Sequence, residues 1–213
     1  PSFLTMCRIS PFALFILFGH FNLFSQHVLS LSPGLEEGRE KWFDTAVGIE
    51  NSGIVNGQEY FMPFVSSTSF PFYQTRQAVP GDIVFGNQVY RDIPLSYDCY
   101  SDVVVLTLKG ANNFFELVQL DTGRITEFRL HGKLFRKLTD TPTHRSPEGT
   151  GYYNVLFESP AIELMARRTK VRAINPSTGK IEYTTSDRIF FKTNDRWTLF
   201  SGKRSLYGLV KDK

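Results

Sequence analysis

Between Gly81 and Leu138 the chain has no room for a crossover helix. Turn-forming residues recur at Gly86-Asn87, Asp98 to Asp102, Gly110 to Asn113, Asp121-Thr122-Gly123 and His131-Gly132. Between them stand "DIVF", "QVYRDIPLSY", "VVVLTLK", "FFELVQL", "ITEFRL" and "LFRKL", runs rich in the β-branched and aromatic residues that suit a pleated, half-buried surface. A parallel connection needs about a dozen residues, and these breaks are far shorter, so consecutive strands must pair antiparallel. Gly86-Asn87 reads as a tight hairpin because both residues tolerate positive φ.

The pattern resumes after a polar loop, Thr139 to Gly151. "YYNVLFE", "IELMARR", "TKVRAI", "KIEYTT", "RIFFK" and "RWTLF" follow, punctuated by turns at Asn175 to Gly179 and Thr193 to Asp195. Ahead of the regular part, "GQEYFMPFV" reads as a short edge segment ended by Pro63, and Ser66 to Pro80 as an ordered loop pinned by Phe70, Phe72 and Tyr73. At the other end, Leu206, Leu209 and Val210 have the spacing of one helix face. The expected fold is mainly β: an antiparallel meander forming a sandwich, roll or partly open barrel, with a short C-terminal helix. The β domain spans 45–202, with a division into two lobes near 139–151 as the alternative to one body. Residues 203–213 would begin a helix that continues beyond Lys213.

The first residues read as targeting. Met6-Cys7-Arg8 precedes an apolar run from Pro11 to Phe24, the form of a secretory signal over 1–25, with cleavage between 25 and 32 and a polar arm over 26–44. The run is shorter than the roughly 20 apolar residues of a membrane span, so no span is expected in the mature chain. Either Met6 is the start or the frame extends upstream. Cys7 would leave with the signal, and Cys99 alone cannot form an internal disulfide, so the fold must rest on its core. The 20 Phe and 9 Tyr can supply one. Export without disulfides points to a bacterial envelope. A net charge of +3 with interspersed signs leaves no nucleic-acid footprint.

Chemical motifs are sparse. Cys99 as a nucleophile would need His131 or His144 as base, but a lone Cys is more often a small buried hydrophobe. Asp98 and Asp102 lack calcium-loop spacing, no histidines stand at metal-ligand spacing, and the phosphate-loop pattern fails at both "PSTGK" and "SGKRS". Asp98-Cys99-Tyr100-Ser101-Asp102 therefore reads as a strand connection whose Asp and Ser bond their own backbone. Glu158 and Glu163 would serve a glycosidase only as a close pair. Lys203, Arg204, Lys211 and Lys213 read as the solvated face of the terminal helix.

"ENSGIVNGQEY", "GDIVFGNQVYRDIPLSYDCYSDVVVL", "ITEFRLHGKLFRKL", "GTGYYNVLFE", "IELMARR" and "KRSLYGLVKD", in that order, cover most of residues 50–213. As an ordered set they resemble the landmarks of an uncharacterised family of exported envelope proteins of Bacteroidota-type bacteria. The resemblance implies a compartment, the periplasm or the outer-membrane periphery of a Gram-negative cell, and no chemistry or site residues. The leading expectation is a non-catalytic module that meets an envelope protein through a β surface or sheet edge. The alternatives are a glycan- or lipid-binding module using Phe61, Phe70, Phe72, Tyr73 and Trp197, and a hydrolase with an unrecognised site. No cofactor, metal or catalytic residue is assigned.

Overall fold

The computed structural model describes residues 53–202, apart from 63–68, 111–113, 144 and 194. The signal peptide expected at 1–25, the arm at 26–44, the basic helix at 203–213 and His144 lie outside the described residues. Among the described residues there is no α-helix, only single 3-10 turns at Gly53–Val55 and Thr122–Arg124.

The described residues form thirteen strands: β1 (Gln58–Glu59), β2 (Val79–Phe85), β3 (Gln88–Asp98), β4 (Val103–Lys109), β5 (Phe115–Gln119), β6 (Ile125–Leu130), β7 (Lys133–Leu138), β8 (Gly151–Glu158), β9 (Glu163–Arg167), β10 (Lys170–Ile174), β11 (Ile181–Thr185), β12 (Arg188–Thr193) and β13 (Arg196–Leu199). Eleven make one antiparallel sheet in the order β1-β5-β4-β3-β2-β6-β7-β8-β9-β12-β13, and β10 with β11 makes a separate ribbon. The expected single meander is two, β2–β5 and β6–β9, joined side by side where β2 pairs with β6. The sheet runs unbroken from β7 to β8, so the polar loop at 139–151 does not interrupt it.

Turn chemistry sets the hairpins. At Gly86-Asn87 only Gly86 has positive φ, 64°, the signature of a type II′ turn; Asn87 does not use its tolerance. At the β6–β7 hairpin His131 and Gly132 both turn left-handed, at φ 50° and 68°, as a type I′ turn requires. Asp121 caps the turn before β6 by accepting a hydrogen bond from the Gly123 N–H at 2.8 Å.

The sheet is open, with β1 and β13 as its edges and no closed barrel, yet it curls back on itself. Tyr97 on β3 and Tyr152 on β8 are four strands apart, about 19 Å in a flat sheet. Their ring centroids are 6.0 Å apart. One face of β2 through β8 therefore encloses a single core that includes Leu95, Tyr97, Val104, Leu106, Phe128, Phe135 and Tyr152. Phe128 and Phe135 stack at 4.8 Å, with Tyr97 and Tyr152 against them; such pairs add roughly 1 kcal/mol each beyond the area they bury. A second cluster of Tyr60, Phe72, Val103 and Val105 packs on the opposite face of β4. A third, of Tyr153, Met165 and Phe190, lies near the polar loop. That loop is tied down there: the Tyr153 hydroxyl donates to the Gly149 carbonyl at 2.9 Å and Arg188 pairs with Glu148.

Candidate functional site

The connection between β3 and β4 is densely bonded. Asp98 is fully buried. Its Oδ1 accepts from the Tyr100 and Ser101 N–H groups at 2.7 and 3.0 Å, and its Oδ2 from the Tyr60 hydroxyl at 2.8 Å. Burial, and then the Asp98 carboxylate, push the Tyr60 phenol up. Asp102, at φ 58°, takes the Tyr97 hydroxyl at 2.7 Å on Oδ1 and the Arg167 guanidinium at 2.8 Å on Oδ2. Burial pulls Arg167 down, but the Asp102 carboxylate prevails and holds it above the ordinary arginine value. Arg167 also donates to the Tyr152 carbonyl and covers the Tyr153 ring.

Cys99 sits inside this knot. Its N–H donates to the Pro71 carbonyl, and its own carbonyl accepts from the Lys170 N–H. Cys99 is 4% exposed, and among the described residues its sulfur reaches the Tyr97 carbonyl, at 4.0 Å. Burial pushes the thiol up, against the pull of Lys170. Among the described residues no imidazole bonds to it. His131 instead stands by Tyr73, with ring centroids 6.1 Å apart, and by the Thr75 hydroxyl at 3.5 Å. A thiolate nucleophile needs the opposite environment, exposed and electropositive. The stretch works as the strand connection its Asp and Ser pattern predicts, and it also fastens β9, β10 and the 69–73 segment to the end of β3.

Glu158 and Glu163 do come together, directly opposite each other across β8 and β9. Each is matched by its own cation. Arg136 makes two bonds to Glu158, at 2.7 and 3.1 Å, and Lys192 reaches Glu163 at 3.2 Å. The Arg136 hydrogen bonds hold the Glu158 carboxyl below its ordinary value, which opposes a role as proton donor. Among the described residues no group of three or more His, Cys, Asp and Glu is placed to hold a metal ion, and no helix is long and apolar enough to cross a membrane.

The aromatic candidates are dispersed. Phe72 is buried against Tyr60, Phe70 packs half-buried on the same cluster beneath the Lys170 ammonium, Tyr73 lies against the main core, and Trp197 lies against the Tyr153 cluster. Phe61 is 74% exposed. It is joined by two rings absent from the sequence-based set, Phe114 and Phe115, which are 74% and 70% exposed. The register explains the grouping. Gln58 faces Gln119, Glu59 faces Val118, and the Tyr60 N–H donates to the Leu117 carbonyl, so Phe61 runs alongside Glu116 towards Phe115 and Phe114 at the hairpin end. "NNFFE" offers two adjacent rings beside a turn; only the pairing of β1 with β5 brings Phe61 to them.

No family model, curated protein or solved structure matches this chain.

Proposed function

We propose that the chain is an exported, non-catalytic β module, its sheet coiled into a partly open barrel, that binds a protein of the bacterial cell envelope. Its contact surface is the Phe61, Phe114 and Phe115 end of the β1–β5 edge. One observation carries this reading: three large rings stand in solvent at one end of the sheet, while most of the described aromatic residues are buried. Aromatic side chains are the usual anchors of protein interfaces. The residues with chemical potential are each occupied in holding the fold: Cys99 is buried, Glu158 and Glu163 are ion-paired, and Asp98 and Asp102 are bound by tyrosines and Arg167. The compartment rests on the charged and apolar pattern of residues 6–24 and on the ordered family landmarks.

A photo-crosslinking residue at position 115, compared with one at the exposed Lys180 in cells, tests the surface. The expected outcome is a discrete adduct at 115 that fractionates with the envelope. Equal labelling at both positions, or a cytoplasmic protein, would count against the proposal. The alternative of a glycan or lipid ligand has support in the same rings, because all three are apolar and mostly exposed. Sedimentation with lipid vesicles, lost in a Phe114→Ser/Phe115→Ser variant, would favour that alternative.

A further inference from the structure

The two ends of the long sheet differ in charge. Every strand from β1 to β2 in the sheet order β1-β5-β4-β3-β2 comes from residues 53–120, and every strand from β6 to β13 comes from 121–202. Residues 53–120 carry Arg76, Arg91 and Lys109 against Glu59, Asp82, Asp92, Asp98, Asp102 and Glu116, a net charge of −3. Residues 121–202 carry 14 basic and 9 acidic side chains, a net charge of +5. The half of the sheet that ends at β1 is thus net acidic, and the half that ends at β13, counted with the β10–β11 ribbon, is net basic; the edge strands themselves carry Glu59 and Arg196.

Both edges offer unused backbone. Tyr60 bonds inward to Leu117, so alternation turns the N–H and C=O groups of Glu59 and Phe61 outward. Phe200 bonds inward to Ile189, so those of Trp197 and Leu199 turn outward on β13. Among the described residues no further strand pairs with either edge. Each edge also shows an apolar side chain at an outward position, Phe61 at 74% exposure and Leu199 at 47%. Aligned antiparallel, the two outward positions of each edge match: Phe61 opposite Trp197 and Glu59 opposite Leu199.

We infer that the occupant of the β1 edge is a second copy of this chain, which presents its β13 edge, so that the sheet continues from molecule to molecule in a head-to-tail contact. This deepens the proposed function by naming the partner of the Phe61 end, and it rests on that reading. The opposed charges steer the two unlike ends together and disfavour like ends. The overlap is short, so the association is weak and concentration-dependent. A head-to-tail contact leaves a free edge at each end of every assembly and so extends rather than stopping at a pair.

Sedimentation of the full chain over a wide concentration range, at low and high salt, tests this. The mass is expected to rise with concentration beyond a dimer, and added salt is expected to weaken the rise. Two blocked variants decide the geometry. Glu59→Pro and Leu199→Pro each remove an outward N–H and leave the inward ladder intact; Phe61→Ser and Leu199→Lys serve as second variants if a proline disturbs folding. Each blocked variant alone should be monomeric, with association at least about tenfold weaker. Mixed together they should form a dimer and nothing larger, because one retains β13 and the other retains β1. A constant monomer mass for the unaltered chain, or variants that associate as before, would overturn the inference. If it falls while position 115 still crosslinks a different envelope protein, the proposed function stands without it.

Discussion

At Asp102 the backbone turns left-handed at φ 58°, and the carboxylate bonds Tyr97 and Arg167. Asn tolerates this conformation almost as well as Asp, so Asp102→Asn isolates the charge. The pair is largely shielded, with side-chain exposures of 12% for Arg167 and 25% for Asp102. Removing one partner leaves a charge without its counter-ion, and we expect a loss of about 2–3 kcal/mol in urea unfolding. Tyr152 makes the opposite case. Its hydroxyl is buried and has no hydrogen-bond partner among the described residues, while its ring packs on Phe128 and Tyr97. Tyr152→Phe keeps the ring and removes an unsatisfied group, so it should raise stability by about 1 kcal/mol. A clear loss would mean that the hydroxyl is satisfied by water.

Arg167 reaches Asp102 because β8 begins with a glycine. A Cβ on Gly151 would overlap the Arg167 guanidinium. Gly151→Ala would push that flexible end aside at the cost of the ion pair, without disturbing the strand backbone. Its expected cost is close to that of Asp102→Asn, and the double variant should lose clearly less than the two single losses added together. Full additivity in a double-mutant cycle would show that glycine and ion pair act separately. Many strands were legible at this scale. "VVVLTLK" and "ITEFRL" match β4 and β6 end to end, and the turns at His131-Gly132 and Asp121 to Gly123 fall where expected. Alternating β-branched and aromatic residues between turn formers are a local signal, and strands of five to seven residues obey it. The shortest strand among the described residues, β1, is only Gln58–Glu59 inside a longer expected segment, although the Tyr60 N–H still donates to the Leu117 carbonyl of β5.

Across the whole molecule, burial is the leading cause that raises the Cys99 thiol and the Tyr60, Tyr97 and Tyr152 phenols. A group with a higher folded than unfolded pKa contributes stability that is whole below the unfolded value and is lost as pH rises past it. Unfolded thiols and phenols titrate near about 8.5 and 10. Stability should therefore be level through neutrality and fall steadily above about pH 9, and the fall should be smaller in Tyr152→Phe. Denaturation curves between pH 6 and about 11 would check this; a loss already complete by pH 8 would contradict it. The transition should be single, because the main core draws on β2 through β8 and Arg167 ties β9 to the β3–β4 connection.

Sequence alone determined that this chain is antiparallel β, because short breaks forbid crossovers and the side-chain pattern is local. It also marked Asp98 to Asp102 as the connection between two strands. Tertiary structure alone decided that Asp102 meets Arg167 across 65 positions, that Glu158 and Glu163 are neutralised by separate cations, and that the Phe61 segment runs beside β5, towards the end where Phe114 and Phe115 stand. Those meetings depend on which strands lie side by side and how strongly the sheet coils. Both are set by the packing of all the aromatic residues at once, which no short window of residues contains.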